Sequence, residues 1–429
     1  MYGIDFGTSN TVVTVRDGTG SRLLDLGSGE VVPSLMYFER DRRATIGDEA
    51  IADYTEARSR FGGKANLYNS YRFFQALKLA LKDTSFKGTT IFGSFWPAES
   101  LAGLFLREVK RRADEAVGAE RRSAVVGRPV SLSGKAGLVS GDVSPGDVED
   151  AVVARYRAAC AYAGFEDVRF VPEPVAAAAG MAGELSGTVL VFDFGGGTLD
   201  VAVAESGAGG VRILSSAGRD LGGYLLNEDV SRARITRHFG SEGKIRTMKG
   251  NYLDMPRWIT DQVASFYALP LSDLAATRRL IKELIYDARP VDKPRLRGLA
   301  EFLDRNLTFE LFDAIDAAKI ALSDGDASEI AFALPPHVSF VERLTRAEFD
   351  GVIGRRVDEA RALVLEALER AGRLPADVSA VIRVGGSSRV PAFAAMLESL
   401  FPGRVREGAV FTSIASGLLA AHDAGLSAA

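Results

Sequence analysis

The segment Val189–Asp200 reads VLVFDFGGGTLD and runs directly into a further apolar stretch. A second segment of the same kind, Tyr2–Asn10 with the sequence YGIDFGTSN, lies near the start of the chain and also continues into an apolar stretch. Each consists of a strand pattern that ends in an aspartate, a turn that contains glycine, and a second strand pattern. The sequence therefore predicts an internal duplication in which Asp5 and Asp193 occupy matching places, and each β-hairpin opens a lobe of its own.

Helical and strand periodicities fill the first half of the chain between these hairpins. Amphipathic helices are predicted at Asn69–Leu81, Leu101–Ala116 and Asp150–Gly164. A buried strand at Ser123–Val130 precedes a glycine-containing stretch, Ser131–Pro145, which is predicted to be flexible.

The second half carries an insertion before it returns to alternating strands and helices. Prolines divide Gly240–Leu307 into short charged helices, and a longer helix follows at about Thr308–Leu322. The remaining predicted elements are a strand at Ile330–Ala333, a helix at Thr345–Ala371, a strand at Ala380–Val384, and helices at Val390–Leu400 and Ser413–Ala421.

Composition excludes several classes of protein. The chain has 429 residues, 47% of them apolar and 25% charged, which is typical of a globular protein with more than one core. Its net charge of −4 makes a nucleic-acid or anionic-lipid partner a poor fit. Cys160 is the only cysteine, which excludes an intrachain disulfide scaffold, and the three histidines are far apart in sequence. Without a secretory signal pattern or an apolar run of about 20 residues, we expect a cytoplasmic protein that does not associate with membranes.

The two hairpins have the chemistry of a phosphate clamp. Glycine brings backbone N–H groups close to an anion, and threonine adds a hydroxyl donor. An aspartate would repel bare phosphate, so Asp5, Asp193 and Asp200 are predicted to surround a hydrated Mg²⁺ ion that bridges the phosphates. A single Asp-x-Gly-Thr is more often an ordinary hairpin turn, but two copies with matching flanks favour the clamp.

Two further segments are candidates for the nucleoside. Val381–Pro391 reads as a strand, a double glycine and a helix start, where Arg389 could stack on a base; an ordinary βα turn is the alternative. A polar edge on the helix at Thr308–Leu322, formed by Asp316, Lys319 and Ser323, is either ribose-binding or merely solvated. Neither a Gly-x-x-x-x-Gly-Lys-Ser/Thr motif nor a convincing Gly-x-Gly-x-x-Gly motif occurs, so a P-loop enzyme and a Rossmann dehydrogenase are not expected.

Taken together, these segments resemble the ATPase domain of the heat-shock protein seventy chaperone family, in the actin and sugar-kinase superfamily. The resemblance covers nearly the whole chain and is weakest at Gly240–Leu307. Its specificity comes from the order of the motifs. The matching segments are Gly3–Thr8, Ala124–Pro129, Pro172–Ala178, Phe192–Asp200, Leu221–Gly223, Ala318–Lys319 with Ser323, and Val384–Pro391.

The resemblance implies an α/β, duplicated actin-like (ribonuclease H-like) fold with two lobes around a nucleotide cleft. Lobe I would comprise residues 1–186, completed by about 412–429, and lobe II residues 187–411, with an enlarged helical insertion at about 240–322. The cofactors implied are ATP or ADP and Mg²⁺.

Site residues carry over from the resemblance position by position. The catalytic residues implied are Lys78, Glu173, Asp193 and Thr198, and the metal-binding residues are Asp5, Asp193 and Asp200. The nucleotide-binding residues implied are Gly7, Thr8, Ser9, Asn10, Gly195, Gly196, Gly197, Thr198, Gly222, Gly223, Asp316, Lys319, Ser323, Gly385, Gly386, Ser387 and Arg389. Lys78 would neutralise charge on the γ-phosphoryl oxygens while carboxylates orient the attacking water. The alternative for Lys78 is a solvent-exposed helix residue.

The sequence departs from the family pattern in three places. Ile320 follows Lys319 where the family has arginine, and Phe411-Thr412 stands where the family has an acidic residue. These changes bear on adenine affinity and selectivity more than on phosphate binding. In the insertion, Trp258, Phe266 and Tyr267 are predicted to be core residues. The chain also stops where the family's linker and β-rich peptide-binding domain would begin, so a shortened bacterial member without that domain is expected.

The predicted function is slow, Mg²⁺-dependent ATP hydrolysis in a chaperone-like protein whose lobes close in response to nucleotide. An unidentified partner protein or co-chaperone is compatible with this prediction. Three alternatives remain open: a small-molecule kinase of the same superfamily, a non-hydrolysing nucleotide sensor that docks a partner through Gly240–Leu307, and an actin-like filament.

Overall fold

A computed structural model describes residues 1–18, 20–40, 44–61, 70–131, 145–181, 185–207, 210–264, 275–408 and 413–426. Its first part contains strands β1 (Tyr2–Phe6), β2 (Asn10–Asp17), β3 (Gly20–Leu23), β4 (Val31–Pro33), β5 (Leu35–Glu39), β6 (Thr45–Ile46), β7 (Tyr71–Gln75), β8 (Gly88–Ile91), β9 (Ser94–Pro97), β10 (Ser123–Arg128) and β11 (Asp167–Pro172). The helices of this part are α1 (Asp48–Phe61), α2 (Leu77–Lys82), α3 (Ala98–Val117), α4 (Pro145–Tyr162) and α5 (Glu173–Gly180).

The second part contains strands β12 (Gly187–Phe194), β13 (Leu199–Gly207), β14 (Gly210–Arg219), β15 (Lys244–Arg246), β16 (Tyr252–Asp254), β17 (Ala327–Leu334), β18 (Val338–Thr345), β19 (Val378–Val384) and β20 (Val405–Glu407). Its helices are α6 (Gly223–Val230), α7 (Arg257–Thr260), α8 (Ala275–Asp287), α9 (Lys293–Asp304), α10 (Thr308–Asp324), α11 (Arg346–Arg370), α12 (Pro391–Leu400) and α13 (Ser413–Asp423).

The two large sheets have the same topology. The first runs β11-β10-β1-β2-β3, with β4 also paired to β2, and the second runs β20-β19-β12-β13-β14. In each sheet the leading hairpin is antiparallel, and its first strand pairs in parallel with a later strand. The repeated strand order confirms the internal duplication that the two hairpin sequences predict.

Each sheet has its own apolar core, and a third core lies between them. Helices α5 and α13 supply this third core with Ala176 and Leu418, beside Val125 of the first sheet and Val191 of the second. The last helix is also tied to the first sheet, because Thr14 Oγ1 donates to the Ala415 carbonyl at 2.9 Å. The two sheets are therefore joined by packed helices rather than by an open linker.

Three sequence predictions fail in the described part of the chain. The predicted helix Asn69–Leu81 is wrong in its first half, because Tyr71–Gln75 is a strand paired with β5 and only α2 is helical. The insertion begins as a two-stranded hairpin, β15–β16, before its helices. Trp258 is not a core residue, since 53% of it is exposed.

Some predictions lie on residues that the structure does not describe. Phe266 and Tyr267, the departure at Phe411-Thr412, and most of the stretch predicted to be flexible, residues 132–144, are outside the described ranges. Among the helices that are described, none combines the length and the apolar character needed to span a bilayer.

Candidate functional site

The first hairpin forms a tight turn that is braced by a neighbouring serine. Asp5, at the end of β1, stands opposite Val12 in the antiparallel register. The turn between them is held by Ser34, whose hydroxyl donates to the Gly7 carbonyl at 2.8 Å and whose backbone N–H donates to the Ser9 carbonyl at 2.8 Å. These hydrogen bonds turn the carbonyl groups of Gly7 and Ser9 towards Ser34. The tip of this hairpin therefore faces the second hairpin.

The second hairpin repeats this arrangement with glycine in place of side chains. Asp193 stands opposite Asp200 in the register, and the Gly195 N–H donates to the Thr198 carbonyl at 3.0 Å. The Gly195 carbonyl in turn accepts from the Gly223 N–H at 3.0 Å and from the Ser387 hydroxyl at 2.9 Å. The loop is thus anchored by the segments that follow β14 and β19.

The tips of the two hairpins touch each other. A Cβ atom on Gly196 would stand 2.4 Å from Ser9 Oγ, and one on Gly197 would stand 2.5 Å from Thr8 Oγ1. A larger residue at either position would therefore require the hydroxyl side chain opposite it, or the hairpin that carries it, to shift. The hydroxyls of the first hairpin and the bare backbone of the second form complementary surfaces.

A cleft of about 290 Å³ opens beside these tips, at the lower end of the roughly 300–1,000 Å³ typical of ligand pockets. It brings together most of the residues that the sequence predicts for the site. Those that line it are Asp5, Gly7, Thr8, Ser9, Asn10, Lys78, Glu173, Asp193, Gly195, Gly196, Gly197, Thr198, Asp316, Lys319, Ser323, Gly385, Gly386, Ser387 and Arg389.

Three buried carboxylates and one buried ammonium group form the floor of the cleft. Lys78 makes an ion pair with Glu173, and both side chains are almost fully buried, so Lys78 is not the exposed helix residue of the alternative interpretation. Burial, and then the Glu173 carboxylate, raise the pKa of Asp5 to about 7 against the attraction of Lys78. Burial also raises the pKa of Asp193 well above its usual value, with Glu173 the largest of the charged contributors. The single positive charge of Lys78 cannot neutralise three ionised carboxylates.

Lys78 keeps its charge despite its burial. Burial by itself would lower the pKa of Lys78, but the carboxylates, Glu173 foremost, outweigh that effect and hold it above the ordinary value. The floor therefore presents a fixed ammonium group beside Asp5 and Asp193, whose raised pKa values favour the protonated carboxyl when no further positive charge is present.

The donor set of the floor fits Mg²⁺. Carboxylate oxygens are the hard ligands this ion prefers, and a cluster with excess negative charge is stabilised by a divalent cation. Within the described ranges no three acidic, histidine or cysteine side chains form a cage that would hold a metal by themselves. A Mg²⁺ ion bound here would draw its remaining ligands from water and phosphate oxygens, as this ion usually does. Asp5 and Asp193 are the residues that would hold it.

Helix α10 and the loop after β19 form the opposite wall. Asp316 accepts from Asn227 Nδ2 at 2.7 Å and pairs with Lys319, so two of the three predicted ribose-binding residues are oriented by contacts within the protein. Gly385 has a φ of 79°, and a Cβ there would stand 2.4 Å from the Phe194 carbonyl oxygen. Only glycine allows this loop to approach the end of β12 so closely. Arg389, at the rim, is half exposed and pairs with Glu407 at 3.2 Å.

Three predicted residues do not line the cleft. Asp200 is fully buried and accepts from the Val130 N–H at 2.9 Å. It therefore connects the second hairpin to the end of β10 instead of facing the ligand space. Gly222 and Gly223 pack against the backbone of the second hairpin, where a Cβ on Gly222 would stand 2.3 Å from the Gly196 carbonyl oxygen.

Four lining residues fall outside the predicted set. They are Val12, Ile320, Asp324 and Ile414. Val12 could have been predicted from the duplication, because it stands opposite Asp5 as Asp200 stands opposite Asp193. Ile320 is visible in the sequence as a departure from the family pattern. Ile414 comes from the last helix and could not be placed by any local pattern.

A second contact joins the two parts of the molecule away from the floor. The Tyr54 hydroxyl donates to Glu310 Oε2 at 2.5 Å, and Arg58 makes an ion pair with the same carboxylate. The ring of Phe309 packs on those of Tyr54 and Phe73, at centroid distances of 5.5 and 4.8 Å. Helix α10 therefore touches the first part of the chain at its start and lines the cleft towards its end.

Comparison with known proteins identifies the family. The model of the family described as Hsp70 protein matches residues 147–254 and 298–411, and the stretch between these two matches lies within the segment where the sequence resemblance is weakest. Chaperone protein DnaK of Thermus thermophilus is 26% identical over 414 residues, which cover 93% of this chain and 56% of the relative. Those of Thermosipho africanus and Thermotoga maritima are each 24% identical, covering 94% of this chain and 55% of the relative.

The chain thus spans little more than half the length of the curated relatives it matches. The family assignment agrees with the duplicated α/β architecture and confirms the actin-like ATPase fold class expected from the sequence. The chain belongs to the Hsp70 protein family.

Proposed function

We propose that this chain binds ATP and ADP with Mg²⁺ in the cleft, hydrolyses ATP slowly, and uses the nucleotide to control the closure of two lobes in a cytoplasmic chaperone-type machine. The lobes are residues 1–186 together with 412–429, and residues 187–411. The names of the curated relatives, all chaperones, support this proposal. Because the chain covers only part of their length, their complete activity on clients is part of the proposal and not a finding.

One observation carries the proposal: two duplicated hairpins meet tip to tip directly beside a floor of buried acids and one lysine. Hydroxyl groups of Thr8 and Ser9 and backbone N–H groups of Gly195–Gly197 are the kind of donors that bind phosphate oxygens. A triphosphate in the cleft beside the tips would contact both surfaces. Closure would then depend on the presence of the ligand.

The floor supplies the groups that hydrolysis needs. Lys78 would neutralise negative charge that develops on the terminal phosphoryl oxygens. Glu173 or Asp193 would orient the attacking water and accept its proton, while Thr198, which lines the cleft, would donate to a phosphate oxygen. When bound, Mg²⁺ neutralises phosphate charge and polarises the phosphorus–oxygen bonds. The protein's part is to fix these groups in a closed, water-poor space.

The nucleoside would lie between α10 and the loop after β19. Asp316 and Ser323 would contact the ribose hydroxyls, and Arg389 would cover one face of the base. Ile320 covers the other side with an aliphatic side chain, 59% of which is exposed in this structure. Base binding would therefore depend on shape and apolar contact more than on a second guanidinium.

A turnover assay with a matched control tests the proposal. The purified chain should release phosphate from ATP in a Mg²⁺-dependent reaction, and Asp193→Asn and Lys78→Ala should each lower the rate on the order of 100-fold or more. Lys87→Ala is the control, because Lys87 is an exposed lysine beyond the same helix whose ammonium group donates to the Thr84 carbonyl. Equal turnover by wild type and Asp193→Asn would refute the catalytic assignment. Tight nucleotide binding without turnover would favour the sensor alternative.

A further inference from the structure

An aromatic groove lies on the first part of the molecule and shares no lining residue with the nucleotide cleft. Strand β5, the β8–β9 hairpin, helix α3 and the end of α4 form its walls. Its two adjoining cavities, of about 670 and 430 Å³, share Phe38 and Trp96. All but Tyr162 of its lining residues precede residue 147, where the family model begins to match. The groove is therefore a feature of this chain that the proposed ATPase function does not use.

Aromatic side chains line the groove and are partly open to solvent. Phe38 packs edge-on against Trp96 at a centroid distance of 5.3 Å and lies 6.4 Å from Phe92. At the rim, Phe95 is 61% exposed and Tyr162 is 39% exposed. Exposed aromatic rings that surround a concave surface are characteristic of protein-binding sites, since they offer a large contact area at a low cost in side-chain entropy.

The charge at the groove is unbalanced and positive. Its two carboxylates are already neutralised, since Glu39 pairs with Arg60 and Glu108 pairs with Arg111 and Arg112. Arg40 and Arg107, in contrast, are not engaged in ion pairs of this kind within the described ranges.

The guanidinium groups of Arg40 and Arg107 rest on aromatic faces, at 5.4 Å from the Phe92 centroid and 5.5 Å from the Tyr162 centroid. No carboxylate in the described ranges pairs with either of them. Two exposed cations held beside an aromatic groove, in a chain of net charge −4, fit an anion that arrives with an apolar group attached.

We propose that the aromatic groove binds a segment of a partner protein in which an apolar side chain is flanked by glutamate or aspartate. The apolar side chain would lie against Phe38 and Trp96, and the flanking carboxylates would pair with Arg40 and Arg107. Because these guanidinium groups are already held on rings, little side-chain freedom is lost when the carboxylates arrive. The proposal is independent of nucleotide binding, since the groove and the cleft are separate.

Three fluorescein-labelled dodecapeptides test the proposal by fluorescence anisotropy. They share one core of leucine and phenylalanine and differ in the flanking residues, which are glutamate, glutamine or lysine. We expect saturable binding of the glutamate peptide, at least about tenfold tighter than that of the glutamine peptide and weakened by added salt. No saturation by the glutamate peptide below about 1 mM, or equal binding of all three peptides, would overturn the proposal.

Charge-reversal variants locate the binding site. Arg40→Glu combined with Arg107→Glu should weaken the glutamate peptide at least about tenfold and improve the lysine peptide. The control is Arg279→Glu combined with Arg297→Glu, which reverses two exposed arginines on α8 and α9. Thermal unfolding establishes that each variant is folded, and Arg40→Gln with Arg107→Gln gives a milder second test.

The results also separate the other occupants of the groove. Binding to phosphatidylserine vesicles without binding to the glutamate peptide would assign the arginines to a membrane surface and refute the proposal. Concentration-dependent dimerisation that is lost in the double glutamate variant, again without peptide binding, would refute it in favour of a second copy of this chain.

Discussion

The two duplicated hairpins have the same fold but contribute different residues to the site. Each places its first aspartate at the end of a parallel-paired strand, Asp5 in one and Asp193 in the other. The residue opposite that aspartate differs, because it is Val12 in the first hairpin and Asp200 in the second. The first hairpin therefore carries one acid against an apolar neighbour, and the second carries two acids side by side.

The turns differ in a complementary way. The first presents the hydroxyl side chains of Thr8 and Ser9, whereas the second presents three glycines and receives those hydroxyls against its backbone. Asp200 adds a link that the first hairpin lacks, since it accepts from the Val130 N–H at the end of β10. The first hairpin therefore contributes Asp5 and the contact hydroxyls, while the second contributes Asp193 and an additional link to the end of β10.

The largest expected effect comes from making the hairpins alike in charge. Val12→Asp places a further carboxylate beside Asp5 in a buried position, where the acids already outnumber Lys78. The free energy of unfolding of the nucleotide-free protein should fall by about 3 kcal/mol at pH 7, as measured by urea titration. Val12→Asn is the control for shape, and an equal loss in both variants would show that charge is not the cause.

Forcing the two touching tips apart should weaken nucleotide binding. In Gly196→Val, the side chain would occupy the space of Ser9 Oγ and hold the hairpins apart, so ADP affinity should fall about 100-fold, equivalent to roughly 2.7 kcal/mol. Gly207→Val at the end of β13 meets no atom within 4 Å and should leave the affinity unchanged. Unaltered ADP affinity in the Gly196 variant would mean that the tips need not meet around the ligand.

Removing the additional acid of the second hairpin should cost less. Asp200→Val leaves the partly buried Val130 N–H without its acceptor, so the free energy of unfolding should fall by about 1 kcal/mol. Asp200→Asn keeps an acceptor oxygen at the same place and should retain most of that stability. If both variants were as stable as wild type in chemical denaturation, the link between the second hairpin and β10 would not contribute to the free energy of unfolding.

The smallest effect concerns pH. The pKa of Asp5 is raised to about 7 and that of Asp200 to about 6, in both cases mainly by burial and then by Glu173. Between these values and the ordinary pKa of aspartate, the folded protein binds more protons than the unfolded chain, so stability decreases as the pH rises.

Scanning calorimetry of the nucleotide-free protein should therefore show a melting temperature that falls by a few degrees between pH 5 and pH 8. Asp5→Asn should flatten this dependence, because it removes the group with the higher pKa of the two. A melting temperature that rises over the same range would contradict the protonation state assigned to the floor.

Local sequence patterns were sufficient to predict those parts of the site whose residues are close together in the sequence. Each hairpin is a strand, a turn and a strand within about 15 residues, so its aspartate and glycines could be placed without knowledge of the rest of the chain. The same holds for Asp316, Lys319 and Ser323, which share one face of α10 because of helical spacing.

The failures arise where tertiary contacts override local patterns. Tyr71–Gln75 is buried along its whole length and so lacks the alternation of a strand, and its Arg72 is buried because it donates to the Thr90 carbonyl at 2.8 Å. The position of Asp200 follows from a hydrogen bond to a residue 70 positions away. Ile414 reaches the cleft only because α13 packs beside α5, which no pattern within α13 indicates.

The central claim is that the two hairpins close on magnesium nucleotide, and titration calorimetry of the folded chain with MgADP and MgATP tests it most directly. We predict saturable binding of one nucleotide per chain, lost on removal of Mg²⁺ and accompanied by proton release near pH 6.5 as the acids of the floor give up their protons. Folded protein that produces no heat with either nucleotide would contradict the claim.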